Sequence, residues 1–127
     1  MVKSKALKPY LPKLGEELKM QLLENTLAKN ELNIGKFYLR KGAPGSSIKR
    51  FKSILQNYQN TSAIPETLYR LSEAFLMLGL KDEAIKSNAI LDYNFPKSDW
   101  TKMSKSLLKN KSGLNKQKDN KLSLIHI

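Results

Sequence analysis

The chain has 127 residues, a net charge of +12, 40% hydrophobic residues, no cysteine and a single histidine, His126. Without cysteine it makes no disulfide, thiolate metal site or thiol nucleophile, and one histidine next to the terminus gives no basis for a histidine acid–base site or a zinc cluster. Twenty of the 23 basic residues are lysine, and eight of those lie between Lys97 and Lys121 among few apolar residues; this charge reads as solvated surface and tail, or alternatively as a surface for a polyanion.

Residues 1–15 hold Pro9, Pro12 and four lysines and read as a loose lead-in. The stretch "MVKSKALKPYLPKLGEELK" has no apolar centre of the kind a secretory signal needs, and no apolar run in the chain approaches bilayer length. From Glu16 onward, Leu18, Leu22, Leu23, Leu27, Ile34, Tyr38 and Leu39 recur at threes and fours. That predicts one long helix over about 16–41, stopped by Gly42.

Pro44 with Ser46 or Ser47 starts a second helix, whose apolar face is Ile48, Phe51, Ile54, Leu55 and Tyr58 and which "QNTS" ends. Pro65 opens a third, through Leu68, Leu71, Phe75 and Leu78, which stops at Gly79. Asp82 and Glu83 favour the start of a fourth, with Ala84, Ile85, Asn88, Leu91 and Asp92, ended by "NFP". Ser98 caps a fifth helix over 98–109 that carries Trp100, Met103, Leu107 and Leu108. No segment alternates with period two, and the connectors are short enough to set neighbouring helices antiparallel. The polar, breaker-rich segment 110–127 reads as disordered, and its last six residues, "LSLIHI", are similar to the translation of a sequencing-library adapter.

Sliding the chain by 37 residues places Ile34 on Leu71, Tyr38 on Phe75, Gly42 on Gly79, Ile48 on Ile85, Ile54 on Leu91, Tyr58 on Phe95 and Thr61 on Ser98. The two copies share the order helix, glycine stop, helix, aromatic, break. Within units of about 28–61 and 65–98, Gly35, Tyr38 and Phe51 in the first and Phe75, Ala84 and Pro96 in the second suit preferred tetratricopeptide positions. A helix pair cannot cover its own apolar face, whereas stacked pairs can. The pattern therefore predicts an all-α, tetratricopeptide-like α-solenoid of about two helix pairs plus a terminal helix, spanning 16–109; a generic bundle of hairpins is the other architecture it allows. Few repeats expose an apolar end surface, which predicts marginal stability or self-association.

"LAKNEL", "FYLRKGA", "IKRF", "YQNT", "LYRLSEAFLMLGLKDEA" and "YNFPKSDW", in this order over about 22–108, resemble the C-terminal half of the BamD family, outer-membrane lipoproteins of the β-barrel assembly machinery. The resemblance implies tetratricopeptide repeats, location at the periplasmic face of the outer membrane, no catalysis and no cofactor. It also implies a scaffold role beside BamA and the other lipoproteins of that machinery. The family's lipoprotein signal and lipidated cysteine have no counterpart in this sequence, so membrane association would need an anchor from elsewhere. The family's "GAY" turn reads "GAPG", which predicts a looser start to the second helix, and Gln59 stands where the family has proline.

The same resemblance places Arg50, in "KRF", on the region facing BamA, where a guanidinium fork suits a partner carboxylate. Lys49, Lys52, Arg40 and Lys41 form an expected basic rim, tuning association more than affinity. Trp100 either closes the solenoid or anchors a partner. Phe51, Tyr58, Tyr38 and Phe75 read as core. Glu16–Glu17 and Asp82–Glu83 are adjacent carboxylates, and adjacent helical residues diverge, so neither is an acid–base couple. No phosphate loop, nucleophile elbow or metal spacing occurs. The expected function is a protein-interaction scaffold docking on the periplasmic domains of BamA; the alternative is a basic helical nucleic-acid-binding protein, whose binding would fall steeply with salt.

Overall fold

Two glycines punctuate the chain in the same way. Gly42 and Gly79 have φ of 74° and 75°, a backbone region that costs glycine nothing. At the first, the Gly42 N–H donates to the Leu39 carbonyl (3.1 Å) and the Ala43 N–H to the Tyr38 carbonyl (2.9 Å). At the second, the Gly79 N–H donates to Leu76 (3.0 Å) and the Leu80 N–H to Phe75 (2.8 Å). Both satisfy carbonyls that a helix end would leave bare, and both reverse the chain into an antiparallel partner.

These turns belong to a computed structural model that describes residues 11–110. Among the described residues, helix α1 spans Leu11–Arg40, α2 Pro44–Asn57, α3 Ile64–Met77 and α4 Lys81–Asn94, and a further helix, α5, covers 99–110. The repeat continues past the glycines. The Tyr58 N–H donates to Ile54 (2.8 Å) and the Thr61 N–H to Tyr58 (3.2 Å); 37 residues on, Phe95 donates to Leu91 (2.7 Å) and Ser98 to Phe95 (3.1 Å). The Ser98 hydroxyl accepts from the Trp100 N–H at 3.2 Å, the expected cap of α5.

The helices pack in series: α1 on α2, α2 on α3, α3 on α4, with a narrow contact between α1 and α3. Helix α5 closes against α3 through Trp100 on Tyr69, and against α4 through Lys105 on Asp92. One core runs through the stack, from Ala28 and Leu32 of α1 through Phe51 and Ile54 of α2 and Leu68, Leu71, Ala74 and Phe75 of α3 to Ala84 and Leu91 of α4. This is an all-α, tetratricopeptide-like arrangement of stacked helix pairs.

The crossing of α1 and α2 shows why small residues sit there. Gly35 is buried and faces the Phe51 ring, where an added Cβ would collide. Next to it the buried Ser47 hydroxyl donates to the Gly35 carbonyl at 2.9 Å. In the second pair the Ser72 hydroxyl donates to the Ala84 carbonyl at 3.4 Å.

Several expectations are corrected. Residues 11–15, expected as part of a loose lead-in, are already helical within α1. Residues 1–10 of the expected lead-in and 111–127 of the expected tail lie outside the described residues. The large apolar residues whose spacing marked α1 are mostly not those it buries: Leu18, Leu22, Leu23, Leu27 and Ile34 are exposed, whereas Ala28, Leu32 and Gly35 face the stack. At Gly35, under the Phe51 ring of α2, the approach is too close for a side chain. Ser47 does not cap α2, which starts at Pro44 without a side-chain cap; its hydroxyl serves the helix crossing instead. Helix α2 is regular from Pro44, so "GAPG" loosens nothing there. On α4, Ile85 and Asp92 are exposed.

Candidate functional site

Arg50 lies on α2, one residue before the fully buried Phe51, so its Cα is fixed by the core while its side chain reaches the surface. Its Nη1 donates to both carboxylate oxygens of Glu31 on α1, at 3.2 and 3.3 Å. The Arg50 side chain remains 42% exposed and that of Glu31 26%. Nε and Nη2 make no hydrogen bond among the described residues. The pair thus aims a guanidinium whose remaining edge is open to solvent.

The other residues expected around Arg50 are distributed. Lys49 is exposed beside it on α2. Lys52 is exposed on the opposite flank of that helix, with Nζ 5.9 Å from the centre of the Phe75 ring on α3. Arg40 ends α1 and borders a cleft of about 330 Å³ between α1 and α3, shared with Lys36, Leu39, Arg70, Glu73 and Met77. Lys41 stands 5.5 Å from the Phe37 ring. Trp100 is partly buried, its ring centroid 5.4 Å from that of Tyr69, and belongs to the closure of α5 on α3. Arg50 and Lys49 are therefore neighbours; Lys52, Arg40 and Trp100 face other parts of the stack.

A charged ladder that the sequence reading passed over crosses that cleft. Lys36 of α1 meets Glu66 of α3 at 2.8 Å. Arg70 donates from Nε to Glu66 at 3.2 Å and from Nη1 to Glu73 at 2.8 Å. Its guanidinium also lies 5.2 Å from the Tyr69 ring and 5.5 Å from the Trp100 ring, within cation–π range. Burial pulls the Arg70 pKa down, but its bonds to Glu73 and Glu66 outweigh this and the net shift is upward. The signal was present as Glu66, Arg70 and Glu73 at spacings of four and three on one helix; the aromatic contacts depend on how α5 folds back, which spacing does not report. Such a ladder fixes the relative position of α1, α3 and α5. Among the described residues no cluster of three histidine, cysteine, aspartate or glutamate side chains could hold a metal ion, and no helix is long and apolar enough to cross a membrane.

Comparison with known proteins connects this geometry to a family. The profile of YfiO, described as an outer membrane lipoprotein, matches residues 10–91, which run from the start of α1 into α4. Relatives include the outer membrane protein assembly factor BamD of Rickettsia prowazekii, 44% identical over 97 residues, covering 76% of this chain and 39% of that protein. The protein of the same name from Caulobacter vibrioides is 43% identical over 83 residues, or 65% of this chain and 27% of its own length. That of Neisseria meningitidis serogroup A is 34% identical over 82 residues, covering 65% and 31%. The chain thus spans about two-fifths or less of the length of these relatives. With the match covering both glycine turns and the Arg50–Glu31 pair, the chain belongs to the YfiO family of outer membrane lipoproteins.

Proposed function

We propose that this chain is a protein-interaction scaffold of the outer-membrane β-barrel assembly machinery. In this reading it works at the periplasmic face of the outer membrane, docks on the periplasmic domains of BamA and sits beside the other lipoproteins of the complex. Its relatives are named assembly factors of outer membrane proteins, and the family description is that of a lipoprotein. It acts without a catalytic group or a cofactor: its contribution is a rigid stack of helix pairs with side chains held outward.

The observation that carries the docking proposal is the half-engaged guanidinium of Arg50. Glu31 holds one nitrogen and leaves the other donors facing water. An arginine held this way loses less conformational freedom when a partner carboxylate arrives than a free one would. Lys49 beside it adds to the attraction at longer range. The nucleic-acid alternative draws less support, because Lys36, Arg50, Arg70, Lys86, Lys102 and Lys105 are each matched with a carboxylate instead of forming an open basic stripe.

The test is titration of the chain with purified periplasmic domains of BamA, with Arg50→Glu beside wild type. Removing one partner of a desolvated charge pair costs about 2–5 kcal/mol, so affinity should fall by about 30-fold or more. Lys49→Ala should act mainly on association rate and its salt dependence. Binding by Arg50→Glu equal to wild type, with both proteins folded, rejects the proposed contact.

A further inference from the structure

Among the described residues every fully buried apolar side chain lies between Ala28 and Leu91, and none lies on α5. The side of α5 that meets the stack has Thr101 and Ser104 at its middle, 1% and 0% exposed. Trp100 before them and Leu107 and Leu108 after them are only partly buried. The Ser104 hydroxyl has no hydrogen-bond partner among the described residues. Beside Leu107 a cleft of about 170 Å³ opens between α5 and Glu73, Leu76 and Met77 of α3. A helix that buries hydroxyls, leaves one of them unbonded and stands off a cleft gains little from its own docking.

The hydrogen bonds of α5 are local. The Trp100 N–H donates to the Ser98 hydroxyl, the Thr101 and Lys102 N–H groups donate to the Ser98 carbonyl, and the Thr101 hydroxyl donates to the Phe95 carbonyl. They shape the turn into α5 and do not tie it to α3. Lys105 meets Asp92 of α4 at 2.7 Å, but the two side chains are 55% and 50% exposed, and ion pairs in that much water add little. The strongest tie left is Trp100, whose ring lies 5.4 Å from that of Tyr69 and 5.5 Å from the Arg70 guanidinium. This socket is built on α3 alone: Glu66 and Glu73 hold Arg70 without help from α5.

We propose that α5 is a latch, which opens from the stack as one unit while α1–α4 stay folded and closes when Trp100 returns to the socket of Tyr69 and Arg70. Opening uncovers the end face of the stack, where Tyr69 is buried while the latch is shut. Local opening draws on the element with the least buried apolar surface, and here that element is also the last in the series. The Arg50–Glu31 pair lies on α1 and α2, so the inference does not depend on docking to BamA.

Trp100 is the only tryptophan of the chain and stands on the latch, so its emission reports α5 while circular dichroism reports the whole stack. The experiment is a thermal melt of the full 127-residue chain followed by both signals on the same sample. The emission midpoint should fall several degrees below the dichroism midpoint; coincident midpoints mean one cooperative unit and overturn the proposal. Ser104→Ala removes the unbonded hydroxyl and should bring the emission midpoint up toward the other; a wider gap counts against the latch. Ser104→Glu places a charge on the docking side of α5. It should leave Trp100 emitting from water at every temperature, with helicity reduced by the share of α5 alone and a cooperative melt of the remainder. Loss of the whole helical signal in Ser104→Glu makes α5 part of the core and overturns the proposal.

Discussion

Replacing Gly35 by alanine sets two effects of opposite sign against each other. In a helix interior, alanine is favoured over glycine by about 1 kcal/mol. Here, however, the new Cβ would run into the Phe51 ring, with Cδ1 at 2.8 Å and Cζ at 2.9 Å, both well inside ordinary contact. The ring is fully buried and has no solvent to move into. Nor can α2 retreat freely, because the Ser47 hydroxyl is bonded to the carbonyl of Gly35 itself at 2.9 Å. Overpacking of this kind costs about 1–3 kcal/mol, and stretching a buried hydrogen bond adds about 1 kcal/mol. The net expectation is destabilisation by about 1–3 kcal/mol, and since each kcal/mol moves the midpoint of a domain this size by roughly 4–8 °C, a fall of the order of 10 °C. Thermal and urea melts at fixed protein concentration measure it. Gly15→Ala is the matched control: it lies on the same helix and its Cβ would meet nothing within 4 Å, so it should gain stability by the propensity effect alone. Trimming the ring with Phe51→Leu should make Gly35→Ala less costly than it is in the wild-type background. If Gly35→Ala proves as stable as wild type or more so, the close-approach account of this crossing is wrong.

Three further outcomes are expected. Gly79→Ala puts a side chain at φ 75° and should cost about 1–2 kcal/mol in denaturant melts, with Gly42→Ala close to it because the two turns share their hydrogen bonds. Asn88 buries a side-chain oxygen that has no hydrogen-bond partner among the described residues, so Asn88→Leu, which keeps the branched shape without the polar atoms, should raise stability by about 1 kcal/mol; a loss would mean that the oxygen is satisfied in solution or that the site has no room for the bulkier methyl groups. Burial, with the Glu73 charge adding and Arg70 opposing, raises the Tyr69 pKa above its ordinary 10.0. The folded state therefore holds the phenolic proton more tightly than the unfolded chain, a contribution fully present below about pH 10 and lost as pH climbs through the raised value. Tyr69→Phe has no such loss, so its stability relative to wild type should improve above pH 10; a pH-independent difference would refute the assignment.

The order of elements was legible because each boundary has a local chemical cause. Glycines at 42 and 79, prolines at 44 and 65 and the serine at 98 act on the backbone within a turn of themselves, and each stands where the helices begin or end. The faces of α2 and α3 were partly legible for a related reason: Phe51, Ile54, Leu68, Leu71 and Phe75 are large, periodic and buried. Helix α1 defeated the same reasoning. Among the described residues it leaves most of its large apolar side chains in solvent and packs Ala28, Leu32 and Gly35 against the stack, so a reading that weights residues by size picks the wrong face. At the candidate site, Arg50 was picked out only through the resemblance to the BamD family, and its tie to Glu31 was not foreseen. That contact joins residues 19 apart on antiparallel helices and depends on their crossing. The Trp100 contacts with Tyr69 and Arg70 likewise depend on how α5 folds back.

The two hairpins also show what a structural repeat preserves when residue identities drift. In the register of 37, Gly35 corresponds to Ser72 and Ser47 to Ala84. In the first pair the hydroxyl comes from the second helix and the small partner from the first; in the second pair these roles are exchanged. Either way two small residues meet at the crossing and one hydroxyl donates to the carbonyl across it. The next position follows from this choice. Because Gly35 has no side chain, a phenyl ring fits over it at 51; Ser72 fills that space, and the residue corresponding to Phe51 is the smaller Asn88. Gly35 with Phe51 and Ser72 with Asn88 are thus two solutions to one volume constraint, and exchanging a single member between hairpins should be worse than exchanging the pair.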